Sequence, residues 1–266
     1  MSSSLLFLVL QVYSSILADF VLQPDKWAKS KWNHGWRSKY LYLHVFVVAS
    51  LAGSITLFFF GLSTAAAVSA IIFVTHLIID TVTARSNASA SYLIADQGAH
   101  FAVILTIWIL LFNPDFSYLR DYLTYPILMY IFVLLMGYTI VLHPTGIFIS
   151  RITQRWRESI SVNVSDDATC LDDESLEDAG KYIGYLERFL ILTFILLQQY
   201  TAIGFLIAAK SVFRFNATRK TSEYILIGTL LSFSIAILVG FIVSFFLSIS
   251  LPDNLTNITQ IISFSD

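Results

Sequence analysis

The stretch THLIIDTVTARSNASASYLIADQGAH, Thr75 to His100, sets His76 and Asp80 four residues apart, then a short Ser/Ala/Asn-rich gap, then Asp96 and His100 four residues apart. Apolar sequence flanks it on both sides. Residues four apart share a helix face, so each His/Asp pair points one way from its helix. With a short turn at 83–90, the two helices run antiparallel. Asp80 and Asp96 then lie level with each other near the turn. His76 and His100 lie one helical turn deeper, about 6 Å away at the α-helical rise.

Outward from this hairpin the chain is unusually greasy. Of 266 residues, 56% are hydrophobic and only 13% are charged, where a soluble domain carries about a quarter. The mean hydropathy is positive. These values exclude an ordinary soluble domain and place the chain in a bilayer. The net charge of −2 says nothing about partners, and nothing indicates a nucleic acid. The single cysteine, Cys170, excludes an intramolecular disulfide and a cysteine metal cage. The N-terminal MSSSLLFLVLQVYSSILADF lacks the basic region and cleavage site of a signal peptide and reads as a retained helix.

The expected fold is all-α, a polytopic transmembrane helical bundle of six to seven membrane segments. Spans of about 20 apolar residues are predicted at 5–21, 40–62, 64–82, 91–112, 122–143, 189–209 and 224–250. The four parts are a four-helix core with the His/Asp cluster (1–113), a fifth helix with a short interfacial helix (114–157), an acidic mobile loop (158–181) and a C-terminal membrane module with a polar tail (182–266). Pro144 and Gly146 are expected to end the fifth span, with IFISRITQRWR as a separate interfacial helix. The loop packs seven acids into Asp166–Asp178 and reads as solvated. NAT, NLT and NIT, beginning at Asn216, Asn254 and Asn257, match glycosylation sequons, which are common by chance.

Lys and Arg set the orientation. Lys26, Lys29, Lys31, Arg37 and Lys39 lie in the first loop, and Arg151, Arg155, Arg157 and Lys181 in the fifth. Both loops belong on the cytoplasmic side, which leaves the N-terminus outside. Lys210, Arg214, Arg219 and Lys220 conflict with this if 189–209 crosses once. A break at Gln198, Gln199 or Gly204 would make that segment re-entrant instead and return the basic residues to the cytoplasm. Such backbone survives at membrane depth only when protein or water covers it.

In this topology Asp19 and His44 fall at the depth of the hairpin's polar groups. Three histidines and three acids thus converge on one layer. Adjacent carboxylates repel and take up protons unless a cation sits between them. Imidazole mixed with carboxylate suits zinc, manganese or iron. His44, His76, Asp80, Asp96 and His100 are the candidate ligands of a divalent metal, zinc or manganese first. Gln97 is a supporting partner, and Asp19 a catalytic base or outer acceptor. The same residue types also serve proton relays and plain interhelical hydrogen bonds. Lys29 and Lys31 are candidates to meet an anionic headgroup, against the plainer reading of Trp27 and its basic neighbours as an interface anchor. In the C-terminal part, Glu187 with Arg188 and Lys210 with Glu223 are candidate ion pairs. Gly184, Gly204 and Gly228 are candidate points of close helix contact.

ADFVLQPDKWAKSK, THLIIDTVTAR and ADQGAH resemble a bacterial membrane family catalogued as domain of unknown function 3307, over about residues 5–112. GKYIGYLERFL, IGFLIAAKSVFRF and SEYILIGTLLSF look like an extension that some members carry. The resemblance implies a bacterial inner-membrane protein and no reaction. A looser similarity to membrane-bound metal-dependent hydrolases is analogy alone. Two functions are therefore expected. One is a metal-dependent hydrolase acting at the bilayer on an ester or phosphoester of a lipid or amphiphile. The other is a non-enzymatic channel, transporter or membrane effector, in which the C-terminal half, a membrane hairpin or pore-like module, forms the pore and the polar layer is a gate or relay.

Overall fold

Every regular element among the described residues is helical in the structure, a computed structural model that describes residues 2–83, 90–114, 127–161, 173–212 and 219–250. In chain order the helices are α1 (Ser2–Phe20), α2 (Asp25–His34), α3 (Lys39–Phe60), α4 (Leu62–Thr83) and α5 (Ala90–Phe112). They continue with α6 (Ile127–Ser161), α7 (Asp173–Leu196), α8 (Tyr200–Val212) and α9 (Arg219–Ser250). A 3-10 turn, Gly35–Arg37, joins α2 to α3. The chain divides into one unit of residues 1–136 with 246–266, and a second of residues 137–245.

In the first unit α3 packs against α1 and α4, and α5 closes the ring against α1 and α4. Gly61, at φ +93°, is the whole connection between α3 and α4. Only glycine adopts that conformation cheaply, so the hairpin is tight. Small residues bring α3 and α4 together: a Cβ on Gly53 would stand 3.1 Å from Ser69, whose hydroxyl donates to Ala49 O at 2.8 Å. The core is built on Ala18, Val48, Ala52, Val68, Ile72 and Ile104. At the end away from α2, the fully buried Phe7 meets the rings of Phe59, Phe60 and Phe112 at 5.4–5.7 Å.

Polarity runs inside out. His44, His76, Asp80, His100, Gln11 and Thr56 are buried, while Phe58, Leu62 and Leu110 are 85%, 76% and 77% exposed. In water that outer face would be costly; against lipid tails it is the expected one. Six described helical stretches are long and apolar enough to cross a bilayer: Ser3–Phe20, Lys39–Phe60, Leu62–Thr83, Ala90–Phe112, Leu128–Gln154 and Leu226–Ser248. The protein is a multi-pass helical membrane protein.

The second unit is centred on Val141, Ile191, Leu192, Ile195, Phe233 and Ala236. Here the expected end of the fifth span is corrected. α6 runs through Pro144 and Gly146 to Ser161, so IFISRITQRWR continues it rather than forming its own helix. Proline has no N–H for the carbonyl four residues back. Thr145 Oγ1 donates to that carbonyl, Ile140 O, at 2.9 Å. Arg188 Nε and Nη2 donate to Val141 O at 2.7 Å and Leu142 O at 3.1 Å, and Nη1 donates to Ser232 Oγ at 3.3 Å. With the freed carbonyl met by Thr145 and the next two bound by Arg188 of α7, the α-helix goes on.

Other expectations change as well. Lys210 pairs with Glu187, while the side chain of Glu223 lies outside the described residues, and Arg188 bonds two backbone carbonyls and Ser232 rather than Glu187. Gly184, with Gly146, makes room for the Arg188 guanidinium. Close helix approach falls instead at Gly137 and Gly240, where a Cβ would collide with Val243 and Ile195; Gly204 and Gly228 have open space. Segment 189–209 is not one helix. α7 ends at Leu196, Gln198 takes φ +59°, and α8 starts at Tyr200 and packs back on α7. The break is at the two glutamines, as one of the two expected forms requires. The acidic stretch is partly helical, since Asp173–Asp178 opens α7. Residues 162–172, Cys170 and the three sequon asparagines lie outside the described residues.

Candidate metal centre

Four helices of the first unit each deliver polar side chains to one layer at the α2 end of the bundle. Asp19 comes from the last turn of α1 and His44 from the second turn of α3. His76 and Asp80 come from α4, and Asp96, Gln97 and His100 from α5. The i, i+4 spacing on α4 and α5 keeps each pair on the inner face.

His44 Nε2 lies 3.2 Å from His76 Nε2 and 3.2 Å from Asp19 Oδ1. His76 Nε2 is 3.5 Å from Asp19 Oδ1 and 3.6 Å from Asp80 Oδ1, and His44 Nε2 is 3.8 Å from Asp80 Oδ2. A tetrahedron with bonds of about 2.0–2.1 Å has edges of about 3.3–3.4 Å. These five separations, four from an imidazole to a carboxylate and one between the imidazoles, fall near that value, and Asp19 forms a further trio with His76 and His100 inside 4.8 Å, so a small cation matches each trio in size. His100 stacks on His76, with ring centroids 3.9 Å apart. Its Nε2 points to Asp80 Oδ1 at 3.5 Å and Asp96 Oδ1 at 3.8 Å. His44–His76–Asp80 and Asp80–Asp96–His100 each gather three ligand atoms within 4.8 Å of one another. His100 Nε2 and Asp96 Oδ1 are buried without a hydrogen-bond partner.

α2 covers the layer. Ser30 and Ser38 hydroxyls meet at 2.9 Å, and Trp27 stacks on Tyr40, which fixes α2 against the start of α3. Lys31 is thereby turned inward and donates to Asp80 Oδ2 at 2.6 Å. Gln23, in the amide orientation that satisfies both neighbours, accepts from Lys31 Nζ at 2.7 Å and donates to Asp19 O at 3.2 Å. Gln97 Nε2 donates to Asp19 Oδ2 at 3.2 Å and Asp96 Oδ2 at 3.3 Å. Lys29 is exposed. The layer therefore contains three carboxylates against one lysine, a shortfall of two positive charges that a divalent cation, or two protonated imidazoles, would meet.

Every sequence-proposed ligand reaches this layer, with Asp19 and Gln97 beside them. Lys31 reaches it too, as the partner of Asp80. Gln23 belongs to the stretch beyond Asp19 that the sequence offered as a lid; what the sequence reading missed is a small cavity deeper in the bundle, where Gln11, Ser14, Ser15, Thr75, His76 and His100 meet apolar side chains. It has room for about one water. Its signal was available: Gln11, Ser15 and Asp19 recur every four residues along the first span.

No curated protein and no solved structure matches the chain. A family model described as "Protein of unknown function (DUF3307)" matches residues 6–141, the stretch that holds every residue of the His/Asp layer. The chain belongs to this family of unknown function, DUF3307.

Proposed function

We propose that this layer binds a divalent cation, zinc or manganese first, and that the protein is a metal-dependent hydrolase of an ester or phosphoester of a lipid or amphiphile. The observation that carries the proposal is the set of 3.2–3.8 Å separations among His44, His76, Asp19 and Asp80, in a layer short of two positive charges. His44, His76 and Asp80 hold the ion. A bound divalent ion supplies Lewis acidity and a water nucleophile at neutral pH. Asp19 takes the water's proton, and Gln97 orients its carboxylate from behind. Lys31, paired with Asp80, and the exposed Lys29 attract an anionic group to the α2 end. The count of Lys and Arg in the loops favours the cytoplasmic side for α2 and the outside for the N-terminus. The compartment that fits this reading is a bacterial inner membrane.

Metal analysis of the purified full-length protein after loading with zinc or manganese tests this. At least one ion per chain is expected in wild type, and none at this position in His44→Ala or His76→Ala. Metal-free wild type that nevertheless conducts ions in liposomes would replace the hydrolase with the channel or relay reading.

A further inference from the structure

We infer that the layer contains a second divalent-cation subsite, formed by Asp80, Asp96 and His100, with Asp80 shared between the two ions. The inference rests on the metal site proposed above and extends it. His100 Nε2 and Asp96 Oδ1 are buried, face each other at 3.8 Å, and have no hydrogen-bond partner. Unpartnered buried polar atoms are costly, and an ion between them removes that cost. Asp80 stands between the two groups: Oδ1 is 3.6 Å from His76 Nε2 and 3.5 Å from His100 Nε2, while Oδ2 faces His44 at 3.8 Å. The His76 and His100 rings stack at 3.9 Å, 21° from parallel. Asp80 Oδ1 thus lies within 3.6 Å of both Nε2 atoms, the place of a carboxylate that bridges two ions about 3.5–4 Å apart, as in two-metal hydrolytic sites.

Charge then points to the substrate class. Two dications and Lys31 against three carboxylates leave the layer at +2, a state that a phosphoester dianion neutralises. Occupancy of the second subsite should therefore rise when phosphate is present.

Manganese titration of the full-length protein, with and without inorganic phosphate, reads this directly. Two ions per chain are expected in the phosphate arm, with an exchange-coupled Mn(II) paramagnetic resonance signal. Asp96→Asn and His100→Gln should each drop to one ion and lose the coupling. One uncoupled ion in wild type in both arms would overturn the second subsite and leave the first standing. No ion in either arm would overturn both. Two coupled ions persisting in both variants would overturn the ligand assignment. If the variants fail to fold, wild-type stoichiometry and coupling still decide the matter.

Discussion

Replacing Arg188 with methionine should destabilise the second unit by about 2–4 kcal/mol. The side chain is 5% exposed and makes three hydrogen bonds: to Val141 O, to Leu142 O and to Ser232 Oγ. A hydrogen bond from a charged donor contributes about 1.5–3 kcal/mol in soluble proteins, and interhelical bonds in membranes average about 0.6 kcal/mol with a ceiling near 1.7. Three bonds at the membrane average give about 2 kcal/mol, and the charged donor lifts that toward about 4 kcal/mol. Methionine keeps the apolar stem, so the loss reports the bonds and little packing. Glu187 keeps Lys210 as its partner, so no buried charge is orphaned by the change. Arg188→Lys should recover less than half, because one ammonium cannot reproduce the planar fork. The coupling to Pro144 is the sharper test. Arg188 binds the two carbonyls that follow the one Pro144 frees, so Pro144→Ala should make it less necessary, and a double-mutant cycle should show about 1 kcal/mol of coupling or more. The assay is equilibrium unfolding in bicelles, by steric trapping. A loss under about 0.5 kcal/mol for Arg188→Met, or strict additivity with Pro144→Ala, would refute the reasoning.

Three further outcomes are expected. Lys31→Met removes the cation that holds Asp80 at 2.6 Å and so should raise divalent-ion affinity by about tenfold or more in chelator competition; a fall in affinity would make Lys31 a positioning residue for the ligands. Asp19→Asn should retain the ion at His44, His76 and Asp80 yet lose hydrolysis by about 100-fold or more, whereas loss of the ion along with activity would make Asp19 a ligand. Phe7→Ala should cost about 3–5 kcal/mol through the cavity it leaves, seen in the same bicelle unfolding assay, and a change below about 1 kcal/mol would mean that the aromatic cluster around Phe7 is not packed as described.

The convergence of the His/Asp layer was legible because it follows from local rules. The i, i+4 spacing fixes the face, and short connections fix antiparallel neighbours. Helix length then brings Asp19 and His44 to the same depth. Lys31 was legible as a cation but not as the partner of Asp80, because that pairing depends on how the Ser30–Ser38 and Trp27–Tyr40 contacts set α2 across the bundle. Pro144 misled for a related reason. Read locally, proline followed by glycine stops a helix. What supports α6 there is Thr145, whose hydroxyl takes the carbonyl that the proline frees, and Arg188, more than forty residues away, which binds the next two and which no window around Pro144 contains. The glycines show the same limit. Gly137 and Gly240 are the points of close approach because of which side chains face them across the unit, and sequence spacing does not say that.

The shape of the polar interior separates the two functional readings more than its composition does. From Lys31 inward, polar groups continue through the His/Asp layer and the small cavity to Gln11, whose amide donates to Ala52 O and Thr56 Oγ1 at 3.1 Å each. One turn further along α1 stands Phe7, fully buried against Phe59, Phe60 and Phe112. A conduit through this unit needs a polar or wettable mouth at both ends. The described residues give it one polar end, at α2, and an aromatic plug at the other. Gln11 and Thr56 are already engaged with each other and with the α3 backbone, so they make a poor relay. A layer of ligand atoms lying under α2 at one end of the bundle, with an aromatic plug at the other, suits a hydrolase whose substrate enters from the α2 side. Substrate and water then arrive from the same side, and hydrolysis costs no leak across the bilayer.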